Sequence, residues 1–424
     1  MLLAAAAAGF LCATLPPLSA RAADEKLKEG DLVAICGDSI TEGKVYSVFM
    51  ADYLLMCQPT ANVNSFQVGW AGEKADGLLN RLKTNVLAFS PTVATTCYGM
   101  NDGGYKATSP ENTAAYKKNM TAIVKRLKED GVRFIVVGSP GVVDTSTYKG
   151  RPTTPEIYNE TLRNLANAAR EVATEEGVAF ADVNTVMMEA MTRAKELKGK
   201  DFQVAGNDGV HPGSNGHLAM AYAFLKGLGF DGNIGTITVD LKAGTAEGSD
   251  GHKVLSSSGN KTEVQSTRYP FCFARPDGTP VDAASMLPFL PFHQDLNRYM
   301  LVVKNPPENL ASLKVTWGPR TKMFSIADLA KGVNLAAEFP QNPFCEPFFK
   351  VHNLVREQQN AETTGIKNMI GTISQLKAFY GDDQDAANAL KLLGDKIPDR
   401  LKAYREASSA AVIPVRHAII IETN

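Results

Sequence analysis

Two short segments of this sequence carry the side chains that nucleophilic catalysis requires. Ser39 lies in the segment Gly37–Gly43, which reads GDSITEG, and the segment Asp208–Pro212 reads DGVHP. A serine hydroxyl attacks a carbonyl only when a base removes its proton, and an imidazole oriented by a carboxylate supplies that base. Asp208 and His211 are three residues apart on one predicted loop. The pattern predicts a serine nucleophile with a histidine and an aspartate as its partners.

Two further segments have donors for the negative charge that such an attack creates. Gly69–Gly72 reads GWAG and Tyr98–Asp102 reads YGMND. A glycine backbone N–H and an asparagine side-chain amide are donors suited to an oxyanion. Taken singly, each segment also has an ordinary structural interpretation, because Gly-rich loops and Asn-Asp pairs close strands as turns and an Asp-Ser pair caps helices. His217, close to His211, is interpreted as helix surface.

The elements that must position these residues follow an alternating pattern. From about residue 31 to residue 230, short β-rich runs alternate with amphipathic helical segments, which is typical of an open α/β sheet with parallel strands. Five runs are predicted as strands: Asp31–Cys36, Val63–Val68, Thr92–Tyr98, Val132–Val137 and Val178–Asp182. The four motif segments, GDSITEG, GWAG, YGMND and DGVHP, lie at or beyond strand ends. Open α/β sheets bind their ligands at the carboxyl ends of strands.

Taken together, the four segments resemble the SGNH, or GDSL-like, hydrolase superfamily, whose four blocks supply Ser, Gly, Asn and His in this order. The usual GDSL is changed only at Ile40, and the GxSxG of ordinary α/β-hydrolases is absent. The resemblance covers about residues 31–230 and implies a flavodoxin-like three-layer α/β/α domain. It also implies a catalytic triad and an oxyanion hole: Ser39, Asp208 and His211 for the first, and the Ser39 backbone N–H, Gly72 and Asn101 for the second.

This resemblance implies a serine esterase that works through an acyl-enzyme, with no cofactor and no metal. A small ester or acylated carbohydrate is the expected partner, with short acyl groups such as acetyl favoured. Tyr105, Tyr148 and the loop Ser139–Pro155 could line the pocket or form plain surface. Two alternatives stay open: a lysophospholipase or arylesterase of the same superfamily, and a catalytically silent carbohydrate-binding or structural protein.

Composition excludes several other classes of function. The 44 Lys and Arg residues are balanced by 45 Asp and Glu residues, with no dense basic run, so nucleic acid is not an expected partner. No CxxC, HExxH or His-rich tract indicates a metal site. Six cysteines include Cys12 in the apolar N-terminal run, and the odd remainder argues against a fully paired disulfide framework. Whether Cys272 and Cys345 pair is left open.

The N-terminal residues have the character of an export signal. Residues 1–23 form an apolar run that ends in the small-residue site Ala20–Ala22, which predicts a signal peptide and a secreted or periplasmic protein. Because no Lys or Arg precedes the run, a wrongly assigned start or a short anchor stays an alternative. The run is short for a membrane span, and no later stretch is long and apolar enough, so no stable span is expected after cleavage.

The chain is predicted to have four parts: a signal peptide (1–23), an SGNH hydrolase domain (24–230), a β-rich region (231–328) and a helical region that ends in a strand (329–424). The β-rich part is predicted from the strand-like runs TITVDL, YMLVVKN and SLKVTW. Tyr299 and Trp317 in these runs could bind glycan, although aromatic residues in strands are more often core. The oligomeric state is not predicted.

Overall fold

The first sheet of the protein is parallel and five-stranded. A computed structural model describes residues 27–308 and 310–423, so the predicted signal peptide lies outside the described residues. The strand order is β2-β1-β3-β4-β5. The strands are β1 (Leu32–Gly37), β2 (Asn64–Gln67), β3 (Val93–Cys97), β4 (Phe134–Gly138) and β5 (Ala179–Ala181). The α/β fold and the parallel sheet are confirmed, and each strand lies within two residues of its predicted bounds.

Helices cover both faces of this sheet. They are α1 (Ser39–Glu42), α2 (Tyr46–Asp52, continued by a π-helical turn at Tyr53–Cys57), α3 (Ala75–Asn85), α4 (Pro110–Glu129), α5 (Pro155–Glu176), α6 (Val183–Lys198) and α7 (Ser214–Gly227). Alternate residues of β1 enter different cores: Val33 and Ile35 pack with α2, α6 and α7, whereas Ala34 and Cys36 pack with α3, α4 and α5. Both faces of the parallel sheet are therefore covered by helices and shielded from water, as is typical of parallel sheets.

The C-terminal half contains two further sheets that face each other. One has the order β13-β10-β6-β7 and the other β12-β11-β14-β9-β8. Their strands are β6 (Asn233–Asp240), β7 (Thr245–Gly248), β8 (His252–Ser258), β9 (Lys261–Ser266), β10 (Arg298–Lys304), β11 (Ser312–Trp317), β12 (Arg320–Ser325), β13 (Val333–Asn334) and β14 (Val415–Glu422). The chain's last strand, β14, lies between β9 and β11, so residues far apart in sequence complete this sandwich.

Aromatic and polar side chains fill the space between these two sheets. The Tyr299 ring from β10 stacks on Trp317 from β11, with ring centroids 5.3 Å apart, and both side chains are fully buried. The Trp317 indole N–H donates to His417 Nδ1 at 3.2 Å. Burial, together with the charge of His252, lowers the pKa of His417 to about 3. Tyr299 and Trp317 are therefore core residues and form no glycan-binding surface.

The remaining helices belong to the C-terminal half. They are α8 (Phe292–Asp295), α9 (Ile326–Lys331), α10 (Leu335–Glu338), α11 (Cys345–Glu362), α12 (Ile370–Tyr380) and α13 (Gln384–Ala410), and a π-helical turn at Thr363–Met369 joins α11 to α12. Two of them, α11 and α13, contact β2 of the first sheet. The Glu362 carboxylate accepts from the Gln67 backbone N–H at 2.9 Å, and Gln358 donates to Ser65 O at 2.8 Å. Helix α11 thereby covers the exposed edge of β2.

The cysteines of the described residues form no disulfide bond. All five described cysteines, Cys272 and Cys345 included, are buried free thiols. Among the helices of the described residues, none combines the length and the apolar character that a bilayer crossing needs. The predicted boundaries at residues 23, 230 and 328 stay predictions.

Candidate active site

The segment GDSITEG makes a tight turn where β1 ends. Ser39 is the first residue of α1, and the Asp38 carboxylate before it accepts from the Ile40 backbone N–H at 2.9 Å. The Gly43 N–H donates to the Ser39 carbonyl at 2.9 Å, which closes the single turn of α1. This geometry leaves Ser39 partly exposed at the carboxyl edge of the sheet.

The structure brings Ser39, Asp208 and His211 together. Ser39 Oγ lies 2.8 Å from His211 Nε2, and His211 Nδ1 lies 2.7 Å from Asp208 Oδ2. The second carboxylate oxygen, Asp208 Oδ1, accepts from the backbone N–H groups of Val210 and His211, each at 2.9 Å. Each of the two ring nitrogens therefore has one hydrogen-bond partner, and this arrangement fixes the orientation of the imidazole.

Hydrogen bonding keeps Asp208 ionised. Partial burial alone would raise its pKa, but the hydrogen bonds from the backbone and ring of His211 and from the Val210 N–H hold the pKa below its usual value. About half of each side chain is exposed, 48% for His211 and 47% for Asp208. The histidine and the aspartate are therefore open to solvent.

Gly209 allows the Asp208–His211 loop to lie against the chain near Tyr148. It has a φ of +73°, and a Cβ at this position would lie 2.3 Å from the Tyr148 backbone nitrogen. Tyr148 is itself buried and stacks on Tyr158, with ring centroids 6.0 Å apart. Tyr148 thus supports the loop from beneath, whereas Tyr105 is half-buried and donates its hydroxyl to Asn101 Oδ1 at 3.2 Å.

The two candidate oxyanion segments follow β2 and β3, the strands on either side of β1. Asn101 Nδ2 donates to the Glu73 carbonyl at 3.0 Å and lies 3.4 Å from Asp38 Oδ2. The second contact is long for a hydrogen bond. One amide hydrogen of Asn101 is thus firmly held and the other is only weakly held. Gly72, at the end of the other segment, has a φ of +74°.

The segment Gly69–Gly72 is pressed closely against α1. The Trp70 N–H donates to Gly37 O at 3.0 Å, and the Ala71 N–H donates to Glu42 Oε2 at 2.5 Å. A Cβ on Gly69 would lie 2.2 Å from the Glu42 backbone nitrogen, so no other residue fits there without moving one of the two segments.

Two buried carboxyl groups inside the quoted motifs were not predicted as site residues. Asp102 accepts from the N–H groups of Gly99 and Ala75, each at 3.0 Å, and so joins the β3 turn to the start of α3. Burial raises the pKa of Asp102 to about 6. Burial, with a smaller contribution from the charge of Asp102, raises the pKa of Asp38 to about 7. In the sequence, the only feature that pointed to these two carboxyl groups was the position of Asp38 after Gly37 and of Asp102 after Asn101.

A lysine from the C-terminal half also reaches this site. Lys367, in the π-helical turn, pairs with both oxygens of the Glu42 carboxylate at 2.7 and 2.8 Å. Its ammonium group also lies 5.0 Å from the centre of the Trp70 ring, and Arg81 lies at the same distance from that ring. Lys367 therefore contacts both α1 and the Gly69–Gly72 segment, which the sequence alone did not indicate.

His217 is not on the surface of its helix, so that prediction was wrong. The side chain is 4% exposed and its ring stacks on Tyr46, with centroids 6.0 Å apart. Burial lowers the pKa of His217 to about 3, so the ring is neutral. Neighbouring elements surround α7, and residues on all its sides are buried.

A groove of about 380 Å³ runs along the exposed side of His211. Its walls include Gln203, Asn207 and Ser285, which are polar and exposed. Within residues 27–308 and 310–423, no group of three or more His, Cys, Asp or Glu side chains is arranged to hold a metal ion. The groove thus presents the imidazole of His211 and polar walls.

Comparison with known proteins gives a family match over part of the chain. Residues 35–219 match the GDSL-like Lipase/Acylhydrolase family. A curated acetylxylan esterase from Geobacillus stearothermophilus is 21% identical over 226 residues, which is 49% of this chain and 97% of that protein. Its crystal structure aligns over the same 49% and 97%, at 21% identity and a TM-score of 0.41.

One solved structure aligns over nearly the full length. It is a gut microbial diltiazem-metabolizing enzyme, 24% identical, and the alignment covers 95% of this chain and 100% of that one with a TM-score of 0.75. The sheet and the C-terminal architecture described above therefore recur together in another protein. Residues 35–219 are therefore a GDSL-like hydrolase domain, and the protein is a hydrolase of ester bonds.

Proposed function

We propose that this protein is a serine esterase that removes acetyl groups from carbohydrate through an acyl-enzyme, with Ser39 as nucleophile. The main observation in support is a pair of contacts. Ser39 Oγ lies 2.8 Å from His211 Nε2, and His211 Nδ1 lies 2.7 Å from Asp208 Oδ2. The match of residues 35–219 to a family of hydrolases argues against the alternative of a catalytically silent protein.

In this mechanism His211 moves the protons. Nε2 takes the Ser39 hydroxyl proton as Oγ attacks the ester carbonyl, and the imidazolium then donates that proton to the departing alcohol. The acyl group stays on Ser39 as an ester until water attacks it, with His211 again acting as the base. Asp208 stays ionised throughout because its hydrogen bonds lower its pKa, and it stabilises the imidazolium by its charge.

The oxyanion that forms in each step needs hydrogen-bond donors. The proposed donors are the Ser39 backbone N–H, the Gly72 backbone N–H and Asn101 Nδ2. The amide hydrogen of Asn101 that points to Asp38 makes a contact of 3.4 Å, so little interaction is lost when an oxyanion replaces that partner.

Two features support an acetyl ester of carbohydrate as the substrate. The walls of the groove beside His211 are polar and open, which suits a short acyl group on a hydroxyl-rich alcohol better than a long acyl chain. The curated relative is named for the deacetylation of xylan. Export to the periplasm or the medium, predicted from residues 1–23, belongs to the same proposal because polysaccharides are found there.

Hydrolysis and labelling by the wild-type protein test the proposal. We expect turnover of p-nitrophenyl acetate, a steep fall of kcat/KM along the acetyl to octanoyl series, and release of acetate from acetylated xylan. A fluorophosphonate probe should block turnover and add its mass to the peptide that contains Ser39. Labelling of another residue would overturn the nucleophile assignment, and a preference for octanoyl esters would overturn the acetyl assignment in favour of a lysophospholipase or arylesterase.

Lys367 is expected to position the oxyanion segment. Its ammonium group holds Glu42, whose carboxylate accepts from the Ala71 N–H next to Gly72. Lys367→Met should lower kcat for p-nitrophenyl acetate about fivefold to tenfold with little change in KM, since the loss of roughly 1 kcal/mol of orientation energy appears only when charge develops. Steady-state kinetics measure this effect.

Two comparisons distinguish this positioning role from general stabilisation. Lys367→Arg keeps the charge and should recover most of kcat, whereas Lys391→Met removes an exposed helical ion pair in α13 and should leave kcat unchanged. If Lys367→Met lowers only the melting temperature and leaves kcat intact, the positioning role is wrong.

A further inference from the structure

A large cavity lies between the helices of the first sheet and the C-terminal half. Its volume is about 700 Å³, which falls within the roughly 300–1,000 Å³ typical of small-molecule sites. Three parts of the chain form its walls: the start of α2 with Val45 and Phe49, the segment Phe271–Ala283 that follows β9, and one face of α11. No single domain of this protein contains the site.

The cavity adjoins the groove beside His211, because Ser214 and Asp282 line both spaces. Gly43, at the end of the turn that begins with Ser39, also lines the cavity. A substrate with its ester at Ser39 therefore has room for the rest of the molecule in this direction.

The side chains on α11 indicate the chemistry of the ligand. Glu346, Lys350 and Arg356 lie on the same side of the helix, face the cavity and are exposed. Within the described residues, none of these three forms an ion pair or a side-chain hydrogen bond, and the same holds for Asp282. The wall thus offers free donors and free acceptors of both charge signs, beside the rings of Phe49 and Phe348.

This combination favours a neutral polyhydroxyl ligand. Charges of opposite sign in one wall select against a polyanion, and so many charged groups disfavour a long acyl chain, which would have to desolvate them. Sugar hydroxyls both donate and accept, so they can satisfy a carboxylate and a guanidinium in the same wall. Oligosaccharides therefore fit better than lipids or anionic ligands.

We infer that this cavity binds sugar units of an acetylated oligosaccharide beyond the unit whose acetyl ester lies at Ser39. The inference rests on the proposed function and names its substrate class. The α11 wall and the segment after β9 then act as a binding module, which gives the C-terminal half a role in substrate selection.

Substrates of different length test this inference on the full-length protein. For the wild type, kcat/KM should rise at least tenfold from acetylated xylose to acetylated xylo-oligosaccharides of increasing length. Arg356→Ala should raise KM for the longer substrates roughly fivefold to tenfold, the loss expected for one hydrogen bond of ordinary strength. Its KM for p-nitrophenyl acetate should stay within twofold, because that ester does not extend beyond the groove.

Two more variants keep the test sharp. Glu357→Ala changes the adjacent exposed residue of α11, which faces a different groove, and should not alter the length dependence. Asn353→Trp places a large side chain in the cavity and should abolish the advantage of the longer substrates. The inference is overturned if the wild type hydrolyses p-nitrophenyl acetate but its kcat/KM for acetylated xylo-oligosaccharides does not depend on their length. It is also overturned if Arg356→Ala and Asn353→Trp keep the length dependence of the wild type. Failure to hydrolyse p-nitrophenyl acetate at all would instead contradict the proposed function.

Discussion

Ser39→Ala and His211→Ala should each lower kcat for p-nitrophenyl acetate by roughly 10⁴- to 10⁶-fold, the range expected when one member of a catalytic triad is removed. The reason is the 2.8 Å contact between Ser39 Oγ and His211 Nε2, which makes the two groups a single proton-transfer unit. Stopped assays with long incubation and active-site titration measure the remaining rate.

The double variant is the more informative measurement. Because neither residue can contribute to the proton transfer without the other, Ser39→Ala combined with His211→Ala should be no slower than either single variant. Independent effects would multiply instead. KM should change little in all three variants, because neither side chain is proposed to hold the ground state.

Controls separate chemistry from folding. Both Ser39 and His211 are partly exposed, so their replacement by alanine creates no buried cavity and should leave the melting temperature nearly unchanged. Ser256→Ala, on the exposed surface of β8, is a matched serine variant that should keep full activity. A Ser39→Ala protein that retained even a tenth of wild-type kcat would contradict the proposed mechanism.

The first sheet was predictable from sequence because its signals are local. Its strands are short buried runs and most of them are rich in apolar residues, as buried parallel strands are, although β2 reads NSFQ. Three of the four motif segments follow the neighbouring strands β1, β2 and β3, so identifying these strands also predicted that the three segments meet, whereas Asp208–Pro212 lies between α6 and α7. The Ser39–His211 contact joins residues 172 apart, yet each partner lies in a recognisable local motif.

The strands of the sandwich were harder to predict because several expose most of their residues. In β8 only His252 is buried, and β12 has no buried residue, so neither shows the alternation by which a strand is recognised. No strand was predicted within the polar stretch of residues 243–261, which contains β7 and β8. Pairing with β6 and β9 determines these strands, and pairing is not encoded locally.

His217 and Lys367 show two different reasons for failure. For His217 a signal existed, since the α7 sequence SNGHLAMAYAFLKG has small and apolar residues on all sides, which indicates a buried helix. For Lys367 no local signal existed. Its partner Glu42 is 325 residues away, and only the packing of α11 against β2 brings the two together.

Asn101→Ala is expected to lower kcat by roughly 10²- to 10³-fold, the usual effect of losing one oxyanion donor. Asn101 Nδ2 is held by the Glu73 carbonyl at 3.0 Å, and its second hydrogen is bound only at 3.4 Å to Asp38. That donor becomes important as the carbonyl oxygen gains charge, so kcat should fall and KM should change little. Steady-state kinetics measure kcat, and the rate of fluorophosphonate labelling should fall together with it.

Two further substitutions identify the amide as the cause. Tyr105→Phe removes the hydroxyl that donates to Asn101 Oδ1 but leaves Nδ2 in place, so kcat should fall less than about threefold, consistent with loss of one ordinary hydrogen bond. Asn101→Asp keeps the size of the side chain, loses the donor and adds a carboxyl group beside Asp38, and should be at least as slow as Asn101→Ala. If Asn101→Ala and Tyr105→Phe lower kcat equally, Asn101 supports the turn after β3 and the oxyanion must be held by backbone N–H groups alone.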